Sequence, residues 1–116
     1  MEQIQISAVF PRIDPDRIGN FKQIAGKMLD ITRGDPGNLQ YDWFLNEDET
    51  RCTLRETYVD SQALLDHLPL INDLLSELTE LAGGIEAEVF GDVSPDLRAI
   101  VEASGVARIS RFFQGK

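Results

Sequence analysis

Between Leu54 and Leu68 the chain changes its repeat within two residues, and that change narrows what it can fold into. Leu54, Glu56 and Tyr58 alternate with Arg55, Thr57 and Val59, as in a strand with two unlike faces, whereas Ala63, Leu64, Leu65 and Leu68 follow the three-to-four spacing of a helix face. Asp60 or Ser61, at the junction, supplies a helix N-cap. A strand that feeds straight into an amphipathic helix calls for layered architecture, with the helix folded back over the sheet. The same stretch carries His67, the only histidine in the 116 residues.

Toward the N-terminus, Ile4, Ile6, Ala8 and Phe10 alternate with Gln5, Ser7 and Val9 until Pro11, which predicts a first strand. Asp14-Pro15 is a cap followed by a proline at the first helical position, and Ile18, Phe21, Ile24, Ala25, Met28 and Ile31 mark an amphipathic helix ending near Gly34. Asp35-Pro36-Gly37-Asn38 is a turn signal, after which Leu39, Tyr41, Trp43 and Leu45 share one face of a second strand. The acidic segment Asn46-Glu47-Asp48-Glu49-Thr50 reads as a solvated hairpin tip into a third strand, Arg51 to Val59; it lacks the alternating oxygen ligands and the glycine of a calcium loop. Pro69 predicts a kink or break that leaves His67 in the last turn of a short helix. A further amphipathic segment, Ile71 to Ala82, closes at Gly83-Gly84, and Ile85 to Phe90 forms strand four. Ser94-Pro95-Asp96 opens a short helix that stops at Gly105, and Val106 to Phe113 is expected as a last strand.

Charge and cysteine content exclude some functions. Eleven basic against twenty acidic residues give a net charge of -9, which repels phosphate backbones and anionic membranes, so no nucleic-acid or membrane partner is expected. No apolar run is long enough to span a bilayer, and the lone Cys52 has no intramolecular partner. With no cationic-then-apolar leader at Met1-Glu2-Gln3, a cytoplasmic setting is expected. The length suits a single domain, residues 1–116.

The order β-α-β-β-α-β, followed by an extra helix and strand, is that of an α+β ferredoxin-like split βαβ fold, with helices on one face of an antiparallel sheet. Val9, Phe44 and Phe90 then fall on the face without helices, where a second copy of the sheet would cover them, so a homodimer is expected. For Tyr41 and Trp43 to share a face with Leu54, Glu56 and Tyr58, the hairpin must pair odd positions with even ones, setting Glu56 beside Tyr41 or Trp43. A carboxylate on an apolar face is either hydrogen-bonded or shifted in pKa. Glu56 is accordingly either a structural acceptor for a tyrosine or a backbone group, or a site residue; Tyr41, Trp43 and Tyr58 are core aromatics or a pocket wall; His67 is a helix-surface or interface histidine, or a base. A lone histidine makes a poor metal site, Ser61 and Ser76 lack a nucleophile elbow, and Cys52 in mid-strand reads as buried and inert.

Leu54-Arg55-Glu56-Thr57-Tyr58 running into Asp60-Ser61-Gln62-Ala63-Leu64-Leu65-Asp66-His67, preceded by Pro36-Gly37-Asn38-Leu39-Gln40-Tyr41, resembles the antibiotic biosynthesis monooxygenase (ABM) family of dimeric α/β barrels. That family combines a Pro-Gly turn, a strand tyrosine, a Glu-x-aromatic strand end and a histidine about ten residues later. The resemblance covers residues 4–92 and leaves 93–116 as a C-terminal extension that could cross to the partner. It implies a homodimer with a small cavity in each subunit and, in some members, oxygenation of an aromatic or quinol-type molecule without metal or flavin. On that implication His67 and Glu56 are the catalytic candidates and Tyr41, Trp43 and Tyr58 the substrate-binding ones, with no cofactor and no metal. Haem-degrading relatives use a tryptophan and a histidine along the second helix; here that helix has His67 and no tryptophan. The alternative from another class is a non-catalytic dimeric small-ligand-binding or interaction module, which keeps the barrel and uses its cavity for a ligand or not at all.

Overall fold

A computed structural model describes residues 2–116; the reading of Met1 as the start of a leaderless chain lies outside them. The elements are β1 (Ile4–Phe10), a 3-10 turn (Pro15–Arg17) entering α1 (Ile18–Arg33), β2 (Asn38–Leu45), β3 (Cys52–Tyr58), α2 (Ser61–Leu81), β4 (Glu86–Phe90), α3 (Pro95–Ser104) and β5 (Ala107–Ser110). The strands form one sheet in the order β2-β3-β1-β4-β5. The first four pair antiparallel, as a split βαβ arrangement requires, and β5 adds to the edge parallel to β4. The fold is α+β and ferredoxin-like, as the order of elements predicts.

Local chemistry starts each helix. The Asp14 carboxylate accepts the Asp16 N–H, Asp60 accepts that of Ala63 at the head of α2, and the Ser94 hydroxyl accepts that of Leu97 in α3. α3 ends at Gly105, whose φ of 72° is left-handed. The helices cover the sheet face carrying Ile4, Ile6, Phe10, Leu54, Tyr58 and Val89, all buried. Aromatic rings fill the core on the α1 side: Phe10 meets Phe21 edge-on at 5.5 Å and stacks with Trp43 at 6.2 Å. Cys52 is buried beside them, and burial pushes its thiol up to about 11, so it stays protonated. On the opposite sheet face Phe44 is 54% exposed, and Val9 and Phe90 are half-buried among polar neighbours.

Three expectations are corrected. Pro69 does not split the second helix: α2 is continuous from Ser61 to Leu81. Pro69 lies on the solvent side, where water can serve the Leu65 carbonyl that its missing N–H leaves free, while Leu64, Ile71 and Leu78 bury the opposite side on both flanks. Leu39 does not join Tyr41 on the inner face. The register shifts between Asn38, opposite Tyr58, and Gln40, opposite Thr57, so Leu39 is the extra residue of an irregularity and is 54% exposed. The final strand stops at Ser110 rather than Phe113, because only four positions of β4 face it.

Candidate active site

The hairpin pairs Tyr41 with Glu56 and Trp43 with Leu54, the odd-to-even register that the shared inner face demands. Glu56 therefore points under the helices beside Tyr41, and it is buried. The Tyr58 hydroxyl donates to Glu56 Oε1 at 2.6 Å. Burial pushes the Glu56 carboxyl up to about 7, against the pull of that hydrogen bond, so it exchanges protons near neutral pH. Burial and the neighbouring Glu56 charge both hold the Tyr41 and Tyr58 phenols well above their ordinary value, so both remain neutral donors.

His67 comes from α2, two turns inside its cap, and is 1% exposed. Its ring lies 5.7 Å from Tyr41 and 5.4 Å from Tyr58, centroid to centroid. Nδ1 is 3.5 Å from Asp35 Oδ2, within ion-pair range but without a hydrogen bond's geometry, and neither ring nitrogen has a hydrogen-bond partner. Burial lowers the His67 pKa and Asp35 partly opposes the shift, so the imidazole is neutral at pH 7.

The Pro36-Gly37 turn explains how Asp35 reaches this place. Asp35 Oδ1 accepts the Gly37 N–H at 2.9 Å, which leaves Oδ2 for His67. The Gly37 carbonyl accepts the Val59 N–H, and a Cβ on Gly37 would stand 2.7 Å from Ala63 Cβ. Only glycine lets the turn sit this close to the first turn of α2, and Ala63 is one helical turn before His67. Sequence reading treated Asp35 as a turn residue and missed its position beside His67; the packed Pro-Gly turn was the available signal.

Glu56, His67 and Tyr41 line one cavity of about 360 Å³ between the sheet and the helices. Two other residues expected on its wall stand elsewhere. Tyr58 lies behind Glu56 as its hydrogen-bond donor, and Trp43 borders a separate hollow with Phe21 and Cys52. Also unforeseen were the wall residues from the C-terminal segment: Leu97, Ile100 and Val101 of α3, and Ala107 of β5. The segment is tied to the core where the Ser94 N–H donates to Ser61 Oγ at 2.9 Å. Among the described residues no three His, Cys, Asp or Glu side chains converge to hold a metal ion, and no helix is long and apolar enough to cross a membrane. The arrangement offers a neutral imidazole, a carboxyl poised near neutrality and one phenol donor, Tyr41, at one end of an apolar hollow.

Comparison with known proteins agrees with this architecture. The chain is similar to MupZ of Pseudomonas fluorescens, at 25% identity and a TM-score of 0.78 over 98% of this chain and 92% of that one. It shares its fold with Rv0793 of Mycobacterium tuberculosis, at 22% identity and a TM-score of 0.69 over 79% of this chain and 96% of that one. It also shares it with SnoaB, a cofactor-independent oxygenase of Streptomyces nogalater, at 14% identity and a TM-score of 0.67 over 78% and 92% of the two chains. No curated protein matches the sequence. Residues 6–69, more than half of the chain and the span holding Asp35, Tyr41, Glu56 and His67, match the family described as antibiotic biosynthesis monooxygenase, and the chain belongs to that family.

Proposed function

We propose that the protein is a cofactor-independent monooxygenase acting on a small aromatic or quinol-type molecule bound in the cavity at Glu56 and His67. The observation that carries this reading is the His67 ring: 99% buried, without a hydrogen-bond partner at either nitrogen, and bordering an apolar cavity with a carboxylate on its other side. With Asp35 nearer Nδ1, the imidazole proton belongs on Nδ1 and Nε2 is left to take a proton from a bound phenol or enol. The resulting anion is electron-rich enough to pass one electron to dioxygen. The radical pair then joins through a new C–O bond at a ring C–H carbon in conjugation with that oxygen, and the proton held by His67 returns to the peroxide to give a hydroperoxide. His67 then takes the remaining hydrogen of that carbon as a proton while the O–O bond breaks, which leaves a carbonyl; the departing hydroxide takes a proton from Glu56 and leaves as water, and the proton on His67 restores Glu56. The two hydrogens lost, one from the hydroxyl and one from the ring carbon, thus leave with one oxygen atom as H₂O, and the other oxygen atom stays as C=O. The Tyr41 hydroxyl, also unpartnered, supplies a donor for developing negative charge.

The proposal includes a homodimer built on the helix-free sheet face, which carries Phe44, Val9 and Phe90, and a cytoplasmic setting, with which the single buried cysteine is consistent. The second reading is a ligand-binding module. It is favoured by the Tyr58 hydrogen bond, which accounts for Glu56 without chemistry. Oxygen uptake by metal-free protein with a panel of quinols and anthrones separates the two: the enzyme consumes one O₂ per quinone formed, whereas binding without uptake would leave the module.

A further inference from the structure

The cavity has a shape that its polar end does not explain. Three alanines stand in line across the sheet: Ala107 of β5 opposite Ala87 of β4, itself opposite Ala8 of β1, with Leu54 of β3 next. All four border the cavity, so the row is a trough in its floor. Three strand spacings separate β5 from β3, about 14 Å. The roof is α2 between His67 and Thr79, a helical rise of about 18 Å. Along this length the lining is aliphatic, and Tyr41 at the Glu56 end is its sole aromatic ring besides His67. At the other end Asn72 and Ser76 of α2 and Ser104 of α3 are exposed and form an uncharged rim. The family match ends at residue 69, so the wall made by α3 and β5 is added by this chain's C-terminal segment.

From this geometry we infer that the ligand is an amphiphile with a ring-sized polar head at Glu56 and His67 and an unbranched aliphatic tail lying along the alanine trough toward the α3–β5 end. A flat fused-ring molecule would find its one stacking partner at Tyr41 and would leave the narrow trough unfilled. A single ring with a tail places its hydroxyl beside the His67 nitrogens and its methylenes against Leu68, Ile71, Leu75, Val89 and Val101. The span admits a ring and a tail of about six to eight carbons before the rim is reached. The inference deepens the proposed function and rests on its assignment of the Glu56–His67 end as the place of the reacting head group.

The test is calorimetric titration of the whole protein, without oxygen, against 4-n-alkylphenols from methyl to decyl. Each added methylene is expected to tighten Kd by about fourfold until the tail holds about six to eight carbons, after which Kd levels off as the tail emerges at the rim. The Ala107→Leu variant, with its fold checked by circular dichroism, is expected to bring the plateau to shorter tails; the unmodified protein's series decides the matter if that variant fails to fold. A Kd that does not change beyond ethyl, or an untailed anthrone binding as tightly as octylphenol, would overturn the inference. Tail-dependent binding with no oxygen uptake in air would remove the oxygenase reading and uphold the tail. Oxygen uptake with tail-independent binding would do the reverse.

Discussion

Replacing Glu56 by Gln should make the fold's stability less sensitive to alkali. The carboxyl rises from an ordinary 4.5 to about 7 on folding because burial disfavours its charged form. A folded-state pKa above the unfolded one means that the native protein holds the proton more tightly. The stabilisation is therefore complete below about pH 4.5 and is lost as pH rises through about 7. Between about pH 5 and pH 8 that loss comes to about 2 to 3 kcal/mol. Gln cannot ionise, yet its side-chain oxygen can still accept from Tyr58. Any cost of its extra N–H donors is the same at both pH values and drops out of the difference, as does the contribution of His67. The assay is urea denaturation of both proteins at the two pH values, with equal m-values required. The stability of Glu56→Gln relative to the unmodified protein should increase by about 2 to 3 kcal/mol from the lower pH to the higher. An unchanged difference would mean that Glu56 titrates normally and would refute the reading of it as a poised proton donor.

His67→Ala should lower kcat/KM for a turned-over quinol by about 10²- to 10⁴-fold, the usual loss with a general base, while chemical denaturation still shows one cooperative transition. Tyr58→Phe removes the hydroxyl that donates to Glu56, and should cost about 1 to 3 kcal/mol and move the Glu56 titration, followed by carboxyl NMR, to higher pH. Pro69→Ala restores an N–H to the continuous α2 and should stabilise by about 1 to 3 kcal/mol in urea; destabilisation would argue that the proline holds a needed bend. Sedimentation at micromolar concentration should give twice the 13.0 kDa chain mass, and a species of 13.0 kDa alone would exclude the dimer.

What the sequence by itself determined lies in local and periodic signals. Asp14-Pro15, Asp60 and Ser94-Pro95 each start a helix because a side-chain acceptor meets a free backbone N–H within three residues. The inner faces of β2 and β3, read as alternation, sufficed to bring Tyr41 or Trp43 opposite Glu56, since a slip of one residue would turn the whole apolar set outward; the loop between the strands then selected Tyr41. The tertiary structure decided where such signals were outweighed or absent. Pro69 loses to the apolar helix side that is buried before and after it, because a local cost of about 3 kcal/mol is smaller than the burial of several large side chains. Asp35 reaches His67 across 32 positions only because Gly37 allows the turn to lie on Ala63. The cavity's shape was not legible from the residues: it is the space left where Ala8, Ala87 and Ala107, brought together from three strands, are too small to meet α2 and α3, and no single segment of sequence records a volume that all three helices and all five strands border without filling.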